Sequence, residues 1–205
     1  MCIRDRDSFG RTYTLASHTL PSARGQGEPL TGRVNPPDGA SFTGVIIGEP
    51  AQQFLVASDA GYGFITSLAN MVTKNKSGKS IIAVPKGSFS MQPLLINDVD
   101  HEFVAACTNE GRLLIFPLKD LPIMAKGKGI KIINIPSGRS RDRTEIMSFL
   151  LVFSESDTLV VSSGKRTISL KIGELKHYRG ERARRGLKLP RGFQKIDGIE
   201  RLSKA

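Results

Sequence analysis

The short run from Ser77 to Ser80 comes nearest to a known chemical motif, because Ser-Gly-Lys-Ser is how a phosphate-binding loop ends. Such a loop also needs a glycine five positions before Gly78, and it opens a helix whose N-terminus holds the phosphates. This chain has Thr73 at that position, and the apolar residues 81–84 that follow are typical of a strand. The run therefore predicts no nucleotide site.

The other side chains suited to catalysis or metal binding are scattered. His18, His101 and His177 have no cysteine or carboxylate at ligand spacing, so neither a metal site nor a Cys-His nucleophile is indicated. Cys107 ends the apolar run 103–106 and is predicted to be a buried thiol. The chain has no Gly-x-Ser-x-Gly elbow. We expect no catalytic residue, cofactor ligand or metal ligand within this chain.

Positive charge in glycine-containing loops is the chemical signal that does recur. Lysine and arginine neutralise phosphates, and glycine lets backbone N–H groups approach phosphate oxygens closely. The predicted DNA-binding residues are Lys74, Lys76, Lys79, Lys126, Lys128, Lys131, Lys176, Arg179, Arg182, Arg184, Arg185, Lys188 and Arg191. Tryptophan is absent and aromatic residues make up 6% of the chain. This composition argues against base stacking on single strands and favours double-stranded DNA as the partner.

The formal net charge of +11 in 205 residues is unevenly distributed. It is −1 for residues 10–60, 0 for 61–110, +3 for 111–163 and +9 for 164–205. Such a gradient favours a polyanionic partner, nucleic acid first and an anionic membrane surface second. The apolar runs are far shorter than the roughly 20 residues that cross a bilayer, and no signal-peptide pattern is present. We predict a cytoplasmic, nucleoid-associated protein, with peripheral association at the inner face of the cell membrane as the alternative.

The basic loops recur because the chain is built from repeats. Gly10, Gly61, Gly111 and Gly164 each precede a short apolar segment and lie 51, 50 and 53 residues apart. A fixed period near 50, with four short β segments in each unit, predicts an all-β fold. The expected architecture is a β-pinwheel, a propeller-like repeat of about four four-stranded blades, the last one partial. The units are 10–60, 61–110, 111–163 and 164–205, preceded by a non-repeat leader, 1–9, whose sequence suggests a non-native origin.

Within each unit, two apolar segments flank a polar turn, and each such pair is predicted to form a β-hairpin. The pairs are 42–47 with 54–58, 93–96 with 103–106, and 149–153 with 158–161. One helical turn is expected at each of 68–71, 118–121 and 172–175. Blade rings hide their strand edges by closing, so three full units and a partial one indicate part of a larger ring.

Several long strings of this sequence resemble one known family. Residues 10–15 with 18–33, residues 57–64 and residues 126–136 are similar to the C-terminal β-pinwheel domains of the A subunits of bacterial type IIA topoisomerases. The resemblance covers residues 8–205 and is closest to the topoisomerase IV branch. It implies a DNA-binding and DNA-bending domain that engages the transported duplex in decatenation and relaxation of supercoiled DNA, in support of chromosome segregation.

The same resemblance implies that the catalytic centre lies outside this chain. The family's catalytic tyrosine follows an arginine, whereas Tyr13, Tyr62 and Tyr178 follow threonine, glycine and histidine. By resemblance, the chain is N-terminally truncated, and full-length A subunits form a homodimer through the missing N-terminal region. ATP and magnesium are then expected on the partner, the B subunit of topoisomerase IV, within a heterotetramer.

Two alternatives stay open at this point. Gyrase A subunits carry a box of the form Gln-Arg-Arg-Gly-Gly-Lys-Gly in the first blade, and this chain has none. Its absence favours topoisomerase IV over a gyrase wrapping domain. The alternative from a different class is a blade-type module that binds proteins or membrane surfaces. Basic loops in register favour DNA over that alternative.

Overall fold

The computed structural model describes residues 2–21 and 24–203, with side chains from residue 7 onward. Residues 1, 22, 23, 204 and 205, which belong to the predicted leader, first unit and fourth unit, lie outside the described residues. The strands in chain order are β1 (Cys2–Asp7), β2 (Arg11–Ala16), β3 (Phe42–Ile46), β4 (Gln53–Ser58), β5 (Tyr62–Ser67), β6 (Lys79–Ser80), β7 (Leu94–Ile96), β8 (Glu102–Thr108), β9 (Arg112–Pro117), β10 (Ile130–Lys131), β11 (Met147–Ser154), β12 (Thr158–Ser163), β13 (Arg166–Leu170), β14 (Leu187–Lys188) and β15 (Gly198–Leu202).

Helices are short wherever the chain is described. Two are α-helical, α1 (Ser137–Arg141) and α2 (Ile172–Leu175). The 3-10 helices are Ser17–Thr19, Leu30–Gly32, Leu68–Met71, Leu118–Asp120 and Lys176–Tyr178. The helical turns expected at 68–71, 118–121 and 172–175 are therefore confirmed.

The described strands form four antiparallel sheets, which are the blades of the predicted β-pinwheel. Their strand orders are β3-β1-β2-β6, β7-β4-β5-β10, β11-β8-β9-β14 and β15-β12-β13. Each sheet is built on a hairpin whose turn contains one of the leading glycines, and all four glycines have positive φ, between 57° and 82°. The all-β prediction is confirmed, and the fourth sheet is the smaller one.

The predicted hairpins need correction. Strands β3 and β4 belong to different sheets, as do β7 and β8, and β11 and β12. The polar turns between them connect successive blades, because apolar strands flanking a turn look alike whether they pair or separate. The true hairpins straddle the leading glycines, as in β1–β2 around Gly10. A unit that starts at such a glycine therefore cuts a hairpin in two.

The predicted leader contributes to this arrangement. Residues 2–7, expected outside the repeats, form β1, whose backbone pairs with both β2 and β3. This segment alternates charge without apolar periodicity, so the sequence offered no strand signal. Backbone pairing with two neighbours compensates for its weak pattern.

The core is divided into three apolar clusters that lie between successive blades. Phe54, Phe64 and Met71 belong to the cluster between the first two sheets. Leu55, Phe116 and Met147 belong to the next cluster, and Phe153 and Leu175 to the last. Cys107 is buried in that last cluster, as predicted, and burial raises the pKa of its thiol to about 12.

Each short strand β6, β10 or β14 docks on the second hairpin strand of the preceding blade. Gly78, Gly129 and Gly186 precede these strands with φ between 72° and 75°. A Cβ atom at Gly129 would overlap the carbonyl oxygen of Gly63, and one at Gly186 would lie 2.9 Å from that of Leu113. The glycines predicted to admit phosphate thus admit a neighbouring backbone instead.

Candidate nucleic-acid interface

The residue after each of the first three leading glycines holds the basic loop of the next unit. Arg11 donates from Nη1 to the Ser77 carbonyl oxygen at 3.0 Å, and Arg112 donates from Nη1 to that of Gly186 at 3.2 Å. In the second blade the ammonium of Lys128 lies 4.0 Å from the ring centroid of Tyr62. These contacts fix the start of β6, β10 and β14, so the loops are held against the blades.

A basic cavity of about 230 Å³, here called the basic notch, opens beside Tyr62. Its lining residues are Ala60, Tyr62, Pro85, Lys86, Ser88, Lys128, Lys131, Ile135, Ser137, Ser140 and Arg141. One wall comes from the second unit, around Lys86, and the other from β10 and α1 of the third unit. The lining holds four cationic side chains, three serines and no acid.

Two of the four cations of the basic notch are held in place by neighbouring side chains. Lys131 donates from Nζ to Asn134 Oδ1 at 3.1 Å, and Lys128 is held over the Tyr62 ring. Lys86 and Arg141 are exposed at the rim. Cationic donors around a small cavity, together with hydroxyl groups, can bind a phosphate through charge-assisted hydrogen bonds. The arrangement supports phosphate binding and contains no group placed for bond cleavage.

The sequence analysis identified two of these four cations. Lys128 and Lys131 were predicted, whereas Lys86 and Arg141 were not. The sequence signal that could have identified them is positive charge shortly after the apolar-Pro pair that recurs in successive units. Lys86 follows Val84-Pro85, and the basic run 139–143 follows the equivalent Ile135-Pro136.

Five of the other predicted DNA-binding residues have protein partners. Lys79 donates from Nζ to the Asn70 carbonyl oxygen at 2.7 Å. Arg182 donates from Nη1 to the Lys131 carbonyl oxygen, also at 2.7 Å. The ion pairs are Arg179 with Glu155, Arg184 with Glu181, and Arg185 with Glu145. Much of the basic fourth unit is therefore engaged within the fold.

Glu145 is fully buried and receives two arginines. Arg139 Nη1 lies 3.0 Å from Glu145 Oε2, and Arg185 makes a two-pronged contact with both carboxylate oxygens. Burial by itself would raise the pKa of Glu145. The hydrogen bonds and charge of Arg185, followed by those of Arg139, outweigh burial and hold that pKa below its ordinary value. The ion pair between Arg185 and Glu145 attaches the fourth-unit loop to the third unit.

The remaining predicted residues are exposed and not gathered into one site. They are Lys74, Lys76, Lys126, Lys176, Lys188 and Arg191. The first two lie on the loop that leads into β6, and the last three on the fourth unit. Only Lys128 and Lys131 of the predicted set line the basic notch. The exposed cations can add long-range attraction for a polyanion.

The described residues contain neither a cluster of metal-ligand side chains nor a helix that could span a membrane. Across 2–21 and 24–203, no three His, Cys, Asp or Glu side chains come together as a metal ligand set. In the same ranges, no helix combines the length and hydrophobicity that crossing a bilayer requires.

Comparison with known proteins identifies relatives of this chain. Residues 52–89 and 102–140 match the family model described as DNA gyrase C-terminal domain, beta-propeller. The A subunit of DNA topoisomerase 4 from Pseudomonas aeruginosa is 52% identical over 193 residues, which cover 94% of this chain and 26% of the relative. The corresponding protein of Escherichia coli K12 is 45% identical over 95% of this chain. The chain thus spans about a quarter of the length of these relatives.

Solved structures agree with the sequence relatives. The E. coli ParC C-terminal domain superposes with a TM-score of 0.93 at 43% identity, covering 99% of this chain and 82% of that one. A DNA gyrase A C-terminal domain superposes with a TM-score of 0.72 at 13% identity over 98% of this chain and 66% of that one, which shows the shared fold alone. The chain belongs to the family of β-pinwheel C-terminal domains found in the A subunits of topoisomerase IV.

Proposed function

We propose that this domain binds double-stranded DNA through its phosphate backbone, with the basic notch as a principal contact. The observation that supports the proposal most strongly is the lining of the notch, where Lys86, Lys128, Lys131 and Arg141 meet without any acid. Four cations from two successive units would otherwise repel one another. A bound phosphate offsets that repulsion and releases counterions from the DNA.

The chemistry of the basic notch favours a duplex over single strands and predicts little sequence preference. Lysine, arginine and serine contact phosphate oxygens and position a protein on DNA without reading bases. The nearby aromatic ring, Tyr62, has one face covered by Lys128, so stacking of an unpaired base there would displace that contact. Binding should therefore depend on phosphate charge and duplex shape.

The relatives suggest the setting in which this contact is used. They are A subunits of topoisomerase IV, so we propose that the domain engages the transported duplex in decatenation and in relaxation of supercoils, without catalysing either. In that setting, the full-length protein forms a homodimer and works with the B subunit, which carries ATP hydrolysis and its magnesium. We propose a cytoplasmic site of action on the nucleoid, with any contact at the membrane being peripheral.

A salt titration of a 30-base-pair duplex tests the DNA contact. The logarithm of the binding constant should fall linearly with the logarithm of salt concentration, and each lost phosphate contact should flatten the slope by about 0.9. The double variant Lys86→Ala with Arg141→Ala should therefore flatten it by about 0.9, because both side chains contact the same phosphate in the notch. Circular dichroism of each variant reports whether the fold is intact.

Lys119→Ala provides the matched control. Lys119 is exposed and lies in the 3-10 helix Leu118–Asp120. This helix follows β9 at the end of the strand that is farthest from the hairpin turn. Its removal should leave the slope unchanged. Equal slopes for the Lys86 and Arg141 double variant and the wild type would show that DNA does not occupy the basic notch.

A further inference from the structure

Arg143 combines an uncommon backbone conformation with an uncommon set of partners. It lies two residues beyond the end of α1 and has φ of 53°, one of two non-glycine residues with positive φ in the described chain. Residues other than glycine rarely occupy this region, and those that do are held there by their surroundings. The contacts of the side chain show what holds Arg143.

The guanidinium of Arg143 joins the segment after α1 to the turn between β4 and β5 and to a loop of the second unit. Its Nη2 donates to Asp59 Oδ2 at 2.8 Å, and its Nη1 donates to the Gly87 carbonyl oxygen at 2.8 Å. Its Cζ atom also lies 5.0 Å from the ring centroid of Phe89. One side chain thus contacts a hairpin turn and a separate loop.

Asp59 contacts the same loop directly. Its Oδ1 accepts a hydrogen bond from the Phe89 backbone N–H at 2.9 Å, and its own N–H donates to the Phe89 carbonyl oxygen at 2.9 Å. Asp59 is buried, with 7% of its surface exposed. Residues 85–90, here called the strap, are therefore fixed between Asp59 and Arg143.

The strap forms one wall of the basic notch, and α1 together with β10 forms the other. Lys86 and Ser88 of the strap line one side, and Arg141, two residues before Arg143, lines the other. A guanidinium bonded to Gly87 and attached to the end of α1 sets the separation of these walls. The separation decides whether Lys86 and Arg141 can reach one phosphate together.

We infer that Asp59 and Arg143 form a positioning pair that holds Lys86 in reach of a phosphate bound in the basic notch. The inference rests on the proposed function, because the phosphate belongs to the proposed duplex. Neither residue of the pair lines the notch. Their effect on DNA binding is exerted through the strap.

Asp59→Asn separates positioning from simple electrostatics. The amide keeps an oxygen for the Phe89 N–H but loses the ion pair with Arg143. Removal of a negative charge beside a phosphate site should strengthen DNA binding if charge alone matters. If the pair positions the strap, binding of a 30-base-pair duplex should instead weaken by about tenfold, the lower end of the effect of losing one charged hydrogen bond.

Asp142→Asn is the matched control, because it removes an exposed acid between Arg141 and Arg143 without touching the strap. It should bind DNA at least as tightly as the wild type. Weakening of Asp59→Asn with no weakening of Asp142→Asn supports the inference. Tighter binding by both variants overturns it.

A second measurement guards against a general loss of folding. Combined with Lys86→Ala, Asp59→Asn should cause no further weakening, since Lys86 is the residue through which it acts. Additive effects of the two substitutions would overturn the positioning role. A wild-type chain that fails to bind the duplex at low salt would remove the proposed function itself. Binding that depends on Lys86 but not on Asp59 would remove only the inference.

Discussion

Arg185 reaches 40 residues back along the chain to Glu145, donating from Nη1 to the carboxylate oxygen Oε1 at 2.6 Å. The same nitrogen also donates to the Asn134 carbonyl oxygen at 3.0 Å. The fourth-unit loop, which carries the highest density of positive charge, is thus anchored by one buried acid of the third unit. The negative charge of Glu145 offsets the repulsion between Arg139 and Arg185 and so holds the loop in place.

Glu145→Gln should destabilise the domain, because it leaves Arg139 and Arg185 without their shared counter-charge. Both arginines are partly exposed, so water moderates the loss. We expect a reduction of about 2 kcal/mol in the free energy of unfolding at pH 7, measured by urea denaturation. Glu155→Gln, which removes an exposed partner of Arg179, should cost less than about 1 kcal/mol.

The cost of Glu145→Gln should also depend on pH. The pKa of Glu145 is lower in the folded state, so its contribution is complete above the ordinary value of 4.5 and is lost as pH falls through the folded-state pKa. The stability difference between wild type and variant should therefore shrink in acid. A difference that stays constant from pH 7 to pH 3 would contradict the ion-pair account.

Substitutions at Arg185 and Arg191 should distinguish an arginine that stabilises the fold from one that binds DNA. The sequence interpretation places both on DNA, but Arg185 is bonded to Glu145 whereas Arg191 is exposed. We expect Arg185→Ala to lower the thermal midpoint with little change in the salt slope. Arg191→Ala should flatten the slope by about 0.9 at an unchanged midpoint. The reverse pattern would mean that the anchored arginine is the one that leaves Glu145 for phosphate.

Gly129→Ala should loosen β10 from the second blade. Gly129 has φ of 75°, and a methyl group there would overlap the Gly63 carbonyl oxygen. Overpacking and the unfavourable φ together should cost about 2 to 4 kcal/mol of folding stability. Gly173→Ala is the control, since Gly173 has open space around it and an ordinary φ, and it should be neutral or slightly stabilising. Equal stability of the two variants would show that β10 docks without this close approach.

The domain should bend DNA while trapping little supercoil of either hand. A duplex that contacts cations on several blades must bend, and bending 20 to 30 base pairs by 40 to 90° costs about 1 to 6 kcal/mol. The third and fourth units carry +3 and +9 but the first two only −1 and 0, so attraction covers part of the rim. Nicked circles ligated in the presence of the domain should show at most a small linking-number shift. A large shift at stoichiometric protein would indicate gyrase-like wrapping.

The period of the leading glycines was enough to predict the fold class and the number of blades. Pairing was harder, because the turn between β3 and β4 has the same residue types as a hairpin turn. The basic notch was half predicted: Lys128 lies in an obvious glycine-lysine loop, whereas Lys86 reaches the site through tertiary contacts. The contacts of Arg185 depend on Glu145, which is distant in sequence and carries no local signal.

Strand exchange between neighbouring units has a consequence for how such domains vary. The second, third and fourth units each donate a two-residue strand backwards, and the first three units each accept one, as the second blade accepts β10. A duplicated segment of about 50 residues would bring both its donor and its acceptor, so an inserted copy would satisfy its neighbours on both sides. A single in-frame gene duplication could thus lengthen the array by one blade without leaving a strand inside the array unpaired.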